Sequence, residues 1–143
     1  MILLNKKYDQ KEVAEMIMNF SQEFTPPLLQ LSDIQYYIEK LSQHAYFARW
    51  IDNDRVCAFA AYYLNDVLQQ LYISLIVVDS PHQRKGIGLK LVQELVAIAN
   101  LRSYRSVALE VDKKNNSAYH FYVKLGFHKE EDRGRKLLMV KSL

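Results

Sequence analysis

The residues with the clearest chemical use are Gln83-Arg84-Lys85-Gly86-Ile87-Gly88. They follow an apolar run, Leu75-Ile76-Val77-Val78, through the polar turn Asp79 to His82, and they open a stretch of helical periodicity. A helix start exposes unpaired backbone N–H groups and the positive end of the helix dipole. Glycines at that point let a phosphate approach the backbone closely, and Arg84 and Lys85 add charge at the rim. Two better-known phosphate loops are excluded. A Walker loop needs Gly-Lys-Ser/Thr, but Gly88 is followed by Leu89-Lys90-Leu91. A dinucleotide fingerprint needs a third glycine where Leu91 stands. By itself, Gly86-Ile87-Gly88 fits a strand-to-helix turn that binds nothing equally well.

A second run changes that balance: Glu110-Val111-Asp112-Lys113-Lys114-Asn115-Asn116-Ser117-Ala118-Tyr119-His120-Phe121-Tyr122-Val123-Lys124-Leu125-Gly126-Phe127. Gln83-x-x-Gly86-x-Gly88 after an apolar strand resembles the acetyl-CoA signature of the GNAT superfamily of N-acetyltransferases. The later run resembles that superfamily's Asn-x-x-Ala-x-x-Phe-Tyr-x-x-x-Gly-Phe block, at the matching distance downstream. The resemblance covers residues 71–128. It implies acetyl-CoA as the acetyl donor. It also implies that the backbone of Ile76, Val77 and Val78 pairs with the pantetheine arm like an added strand, their side chains being mainly core. The amides from Arg84 through Lys85, Gly86, Ile87 and Gly88 to Leu89 would hold the pyrophosphate, with Gln83 opening the loop. Asn115 matches a cofactor-contacting position, and asparagine also suits a turn or helix cap there.

The resemblance makes Tyr122 the proton donor to the departing sulfur. A free thiol has a pKa of about 8.5 and a tyrosine about 10, so that transfer is close to balanced at ordinary values. Without the motif, Tyr122 reads as a core aromatic of an amphipathic helix. Glu110 is the candidate base, at the spacing some members that acetylate protein N-termini use. Histone-type members carry a glutamate on the fourth strand, and that slot here is Tyr72. An acceptor ammonium has a pKa of about 10.4 and an ordinary carboxylate about 4.3, so such a base needs burial or a water chain. The plain alternative for Glu110 is a charge on the polar face of a strand. Cys57 sits in an apolar run upstream of both motifs, and no histidine is placed by sequence to activate it, so transfer is expected to be direct. His44, His82, His120 and His128 lack metal-ligand spacing, and no zinc site is expected.

These groups need a scaffold. Residues 2–7 read as a strand. Residues 10–20 carry Val13, Met16, Ile17 and Phe20 at helical spacing. Pro26-Pro27 breaks the chain, and Ser32-Asp33 starts a second helix bearing Ile34, Tyr37, Ile38 and Leu41. Residues 44–51 and 55–64 form a hairpin about Asp52-Asn53-Asp54, and Leu71 to Val78 extends it into a meander. A helix from Gly86 to Asn100, a strand from Val107 to Val111, a helix over 116–125 ended by Gly126, and a strand through Leu137-Leu138-Met139-Val140 complete the order. Strand, helix and strand over 71–111 make a βαβ unit, so those two strands run parallel. The expectation is an α/β GNAT-like fold: a mixed, twisted sheet of six or seven strands, about four helices, and fourth and fifth strands splayed where the cofactor enters. From the family's layout, Glu23-Phe24-Thr25-Pro26-Pro27 would line the acceptor channel.

The chain has 143 residues, of which 50% are hydrophobic and 24% charged. That suits one domain, residues 1–143, able to bury a core without disulfides. The formal charge of +3 comes from scattered bases, which argues against nucleic acid as a partner. No apolar run approaches the roughly 18–20 residues of a membrane span, and a signal-peptide core is missing from the start. A cytoplasmic location is expected, and the single cysteine fits a reduced compartment. The reaction expected is transfer of acetyl to a primary amine, on a small molecule or a peptide. Homodimer formation through sheet edges or the C-terminal strand is compatible with the family. The competing reading is an acyl-CoA-binding sensor or scaffold without catalysis.

Overall fold

A computed structural model of the protein describes residues 2–23 and 31–143. The chain runs β1 (Ile2–Lys6), α1 (Gln10–Asn19), α2 (Leu31–His44), β2 (Tyr46–Asp52), β3 (Arg55–Asn65), β4 (Gln70–Val78), α3 (Ile87–Leu101), β5 (Ser106–Asp112), α4 (Asn116–Lys124), β6 (His128–Arg133) and β7 (Lys136–Ser142). Short 3-10 turns at Ser21–Glu23 and Ser80–His82 follow α1 and β4. The strands form one sheet in the order β1-β2-β3-β4-β5-β7-β6. Among the described residues, only β4 and β5 pair in parallel, as the crossover through α3 requires.

Local chemistry accounts for the elements. Asp9 caps α1 in a reciprocal capping box with Glu12. Asn53 and Asp54 both adopt positive φ, +51° and +61°, the conformation a two-residue hairpin loop demands. Gly126, at φ +93°, ends α4, and the Lys141 ammonium donates to the Leu125 carbonyl at 3.0 Å beside it.

Two cores lie on opposite faces of the sheet. One joins Tyr62, Leu71 and Leu109 to Leu91 and Leu95 of α3 and to Tyr122 of α4. The other joins Phe47, Phe59 and Val77 to Val13 and Ile17 of α1 and Leu41 of α2. Strand β6 was not visible in the sequence. Its six residues, His-Lys-Glu-Glu-Asp-Arg, are all exposed, so no apolar alternation marks it. Pairing with β7 alone makes it a strand, and its charges suit a sheet edge. The C-terminal strand β7 is therefore interior, between β5 and β6. Phe24 to Pro27 lie outside the described residues. Among the described residues, no helix is long and apolar enough to cross a membrane.

Candidate active site

The sheet opens where the site is expected. Parallel pairing between β4 and β5 runs from Gln70 opposite Ser106 to Ile73 opposite Leu109 and stops. Beyond that point β4 continues to Val78 against β3 only, and β5 continues to Asp112 against β7 only. Ser74 causes the divergence to begin there. It is an extra residue in β4, since Ala61 faces Leu75 while Tyr62 faces Ile73. A bulge bends its strand and increases the local twist. The stretch Ile76–Val78 thus presents one strand edge to an open cleft, as an added extended ligand requires. The Val77 side chain is buried in the α1–α2 core, and Ile76 and Val78 pack against the other core.

The candidate phosphate loop follows the end of β4 through the turn Ser80–His82. Helix α3 begins after Gly86, which has φ +79° and no side-chain cap on the first-turn amides. The Gly86 carbonyl accepts from the Lys90 N–H at 3.1 Å, so the helix is in register from its first residue. The amides of Ile87, Gly88 and Leu89 are the first-turn donors that a helix cannot satisfy itself. A Cβ built on Gly88 would sit 4.0 Å from both the Phe121 ring and a Val78 methyl. The helix start, the end of β4 and helix α4 therefore meet at Gly88. Arg84, exposed with Lys85, also holds a left-handed backbone, φ +62°, in a non-glycine residue. Such conformations concentrate at ligand-binding loops. Gln83 plays a different part from its neighbours: its side-chain amide donates to the Val78 carbonyl at 2.9 Å and fastens the loop to the strand.

Helix α4 carries the proton-donor candidate. Asn115 caps it, with its side-chain oxygen accepting from the Ala118 N–H at 3.1 Å. Tyr122 is buried, with Phe121 and Phe127 against its ring edge to face. Its hydroxyl makes no hydrogen bond to the described residues, and burial alone pushes its pKa up to about 12. Glu110, on β5 just past the last β4–β5 pair, accepts from the Tyr72 hydroxyl at 3.2 Å and pairs with Arg133 at 3.3 Å. Burial and the Glu110 carboxylate hold the Tyr72 phenol well above its usual value. Tyr72, the residue in the slot where a fourth-strand glutamate would stand, thus reaches Glu110 across the split. Nearby, the Tyr37 hydroxyl meets the Ser74 hydroxyl at 2.9 Å. Tyr37 and Ser74 carry no motif, and their meeting depends on how α2 packs on the bulged β4. Glu23 accepts from both the Ser80 N–H and hydroxyl, tying the segment after α1 to the end of β4.

The family comparison agrees with this geometry. The sequence profile of the acetyltransferase (GNAT) family matches residues 12–127, most of the chain. The chain belongs to the GNAT acetyltransferase family. No curated protein sequence matches this GNAT chain. Its fold is similar to that of the PaiA N-acetyltransferase of Thermoplasma acidophilum, solved with coenzyme A, at 19% identity, TM-score 0.78, and coverage of 100% of this chain and 99% of the other. It is also similar to a ribosomal-protein alanine N-acetyltransferase of Escherichia coli, at 19% identity, TM-score 0.76, and coverage of 99% and 94%. An IAA acetyltransferase of Bacillus cereus matches at 15% identity, TM-score 0.75, and complete coverage of both chains. Acetyl-CoA is the cofactor of this family, and the open strand edge and uncapped helix start of this GNAT protein fit a coenzyme A thioester.

One expectation about Cys57 changes. The structure brings His82 beside it, their ligand atoms within 4.8 Å, although 25 positions separate them in sequence. The thiol is nonetheless a poor nucleophile, because burial and the Asp79 and Asp52 carboxylates raise its pKa.

Proposed function

We propose that this protein is an N-acetyltransferase that moves acetyl from acetyl-CoA directly to a primary amine. The observation that carries the reading is the split of β4 from β5 after Ile73 and Leu109, beside the uncapped start of α3. An extended pantetheine adds to the free edge of Ile76–Val78. The pyrophosphate sits on the amides from Arg84 to Leu89, where the helix dipole and the Gly86 and Gly88 backbones accept it. Asn115 contacts the cofactor with what its capping bond leaves free.

Tyr122 works as a neutral donor. With its phenol at about 12, complete transfer of its proton to a thiolate near 8.5 is uphill by roughly 5 kcal/mol. A hydrogen bond to sulfur as charge develops there carries no such cost, and the departing thiolate takes up, through water, the second proton that the acylated nitrogen sheds. The burial that raises the pKa therefore keeps the donor protonated at every working pH. Glu110, held between Tyr72 and Arg133, orients the incoming ammonium and passes its proton to water. The acceptor is a small-molecule or peptide amine.

A thiol-release assay with acetyl-CoA and a panel of polyamines, amino sugars and short peptides tests this directly. Amine-dependent thiol release with acetylated product by mass supports transferase activity. Tight acetyl-CoA binding with no amine-dependent release across the panel supports the non-catalytic sensor instead.

A further inference from the structure

Away from the cleft, three elements converge on one point. Asp52 ends β2 at the hairpin turn, Cys57 lies in β3, and His82 ends the 3-10 turn after β4. Their ligand atoms all lie within 4.8 Å of one another. Cys57 reaches this point through a distortion. Trp50 faces Ala58 while Ile51 faces Val56, so Cys57 is an extra residue in β3. Bulges re-aim side chains, and this one turns the thiol toward the end of the hairpin. The bulge also engages the following segment, since the Cys57 carbonyl accepts from the Asp79 N–H at 2.9 Å.

The imidazole of His82 lies between two carboxylates. Its Nδ1 is 2.5 Å from Asp79 Oδ1, and its Nε2 is 3.0 Å from Asp52 Oδ2. With Nδ1–H donating to Asp79, a neutral ring would turn its Nε2 lone pair toward a carboxylate. A proton shared between the two atoms satisfies this contact, and a cation bound to both can replace it. The Asp79–His82 pair matches the carboxylate–histidine arrangement that orients metal-binding imidazoles through their far nitrogen.

We propose that Asp52, Cys57 and His82 form a binding site for a borderline divalent cation such as Zn2+, with Asp79 as the group that orients His82. Carboxylate, thiolate and imidazole are the donors this class of ion selects. Tetrahedral bonds of 2.0–2.3 Å place ligand atoms about 3.5 Å apart, so on binding the His82–Asp52 pair opens from 3.0 Å while the wider pairs, within 4.8 Å, draw in. The step balances: the ion enters, the Nε2 proton of His82 and the thiol proton of Cys57 leave to water, and the three ligands plus ion keep zero net charge. Access is available through Asp52, whose side chain is half exposed. The three ligands leave a fourth position for water. The bound ion would clasp the β2–β3 hairpin to the segment that enters the phosphate loop at Gln83.

Tag-free, chelator-stripped protein titrated with Zn2+ against a chromophoric chelator tests the site, with Co2+ as the spectroscopic probe. One equivalent per chain is expected, together with a thiolate-to-cobalt charge-transfer band. Cys57→Ser should abolish that band, and Cys57→Ser, His82→Gln and Asp52→Asn should each weaken Zn2+ binding at least about tenfold. Asp79→Asn should weaken it by about 10- to 100-fold. Asp52→Asn changes only a half-exposed turn residue, so it reads binding without threatening the fold. A cobalt spectrum without the thiolate band, or Zn2+ affinity unchanged in Asp52→Asn and His82→Gln, would overturn the proposal.

Discussion

At the scale of single residues, Tyr122 shows how burial shifts a side chain's acidity. The same phenol in water would lose its proton near 10, close enough to a thiol for easy exchange. Packed between Phe121 and Phe127, it holds that proton up to about 12. Tyr122→Phe is expected to cut turnover by about 10²- to 10³-fold while acetyl-CoA affinity stays within about twofold. The pair of measurements is steady-state kinetics and calorimetric binding, and unchanged turnover would remove the donor role. The variant loses no hydrogen bond, so it should fold as well as the parent. Its alkaline stability should improve. A folded-state pKa raised above the unfolded value contributes stability that is intact below about 10 and lost as pH rises toward 12. Tyr37 and Tyr72, also raised, keep part of that slope, so Tyr122→Phe should flatten the fall in denaturant midpoint without abolishing it.

At the scale of elements, the start of α3 separates two glycines that look alike in sequence. Gly86 is needed for its backbone. At φ +79° an alanine is strained by roughly 1–2 kcal/mol, although nothing lies within 4 Å of its Cβ. Gly88, in the proposed function, is needed for the close approach of the pyrophosphate. It sits in the first turn of α3, and an added Cβ meets only ordinary contacts at 4.0 Å. Gly88→Ala should therefore hold or raise the melting temperature, through a helix-propensity gain of about 0.5–1 kcal/mol, while acetyl-CoA affinity falls. Gly86→Ala should lower the melting temperature. Thermal melts with and without acetyl-CoA distinguish the two, and a Gly88→Ala protein that binds as the parent does would show that the pyrophosphate does not approach this backbone.

At the scale of the molecule, one sheet carries both cores and the cleft, so ligand binding stabilises the whole fold. Acetyl-CoA at 100 times its Kd should add about 2.7 kcal/mol. For a chain of this size that corresponds to roughly 6–12 °C in melting temperature, readable by scanning calorimetry. A flat response at saturating acetyl-CoA would count against the cleft as its binding site. The charged edge strand β6 serves the same whole: it covers β7, and Arg133 at its end reaches Glu110 on β5.

The sequence alone determined most of the elements, because periodic apolar residues, hairpin-turn residues and helix-terminating glycines are local signals. Val13, Met16 and Ile17 on α1 and Leu91 and Leu95 on α3 are buried as their spacing required. It also determined the start of α3, since Gly86 and Gly88 are written there in nearly consecutive positions. It did not show β6, whose only reason to be a strand is its partner β7. It did not show that Glu110 is gripped by Tyr72 and Arg133, which are 38 positions before it and 23 after. Nor did it show that His82 stands beside Cys57 and Asp52, because that meeting depends on a bulge at Cys57 and a 3-10 turn after β4. Each of these is a non-local pairing, and a pairing across the sheet exists only once register, bulge and turn have been set together in three dimensions.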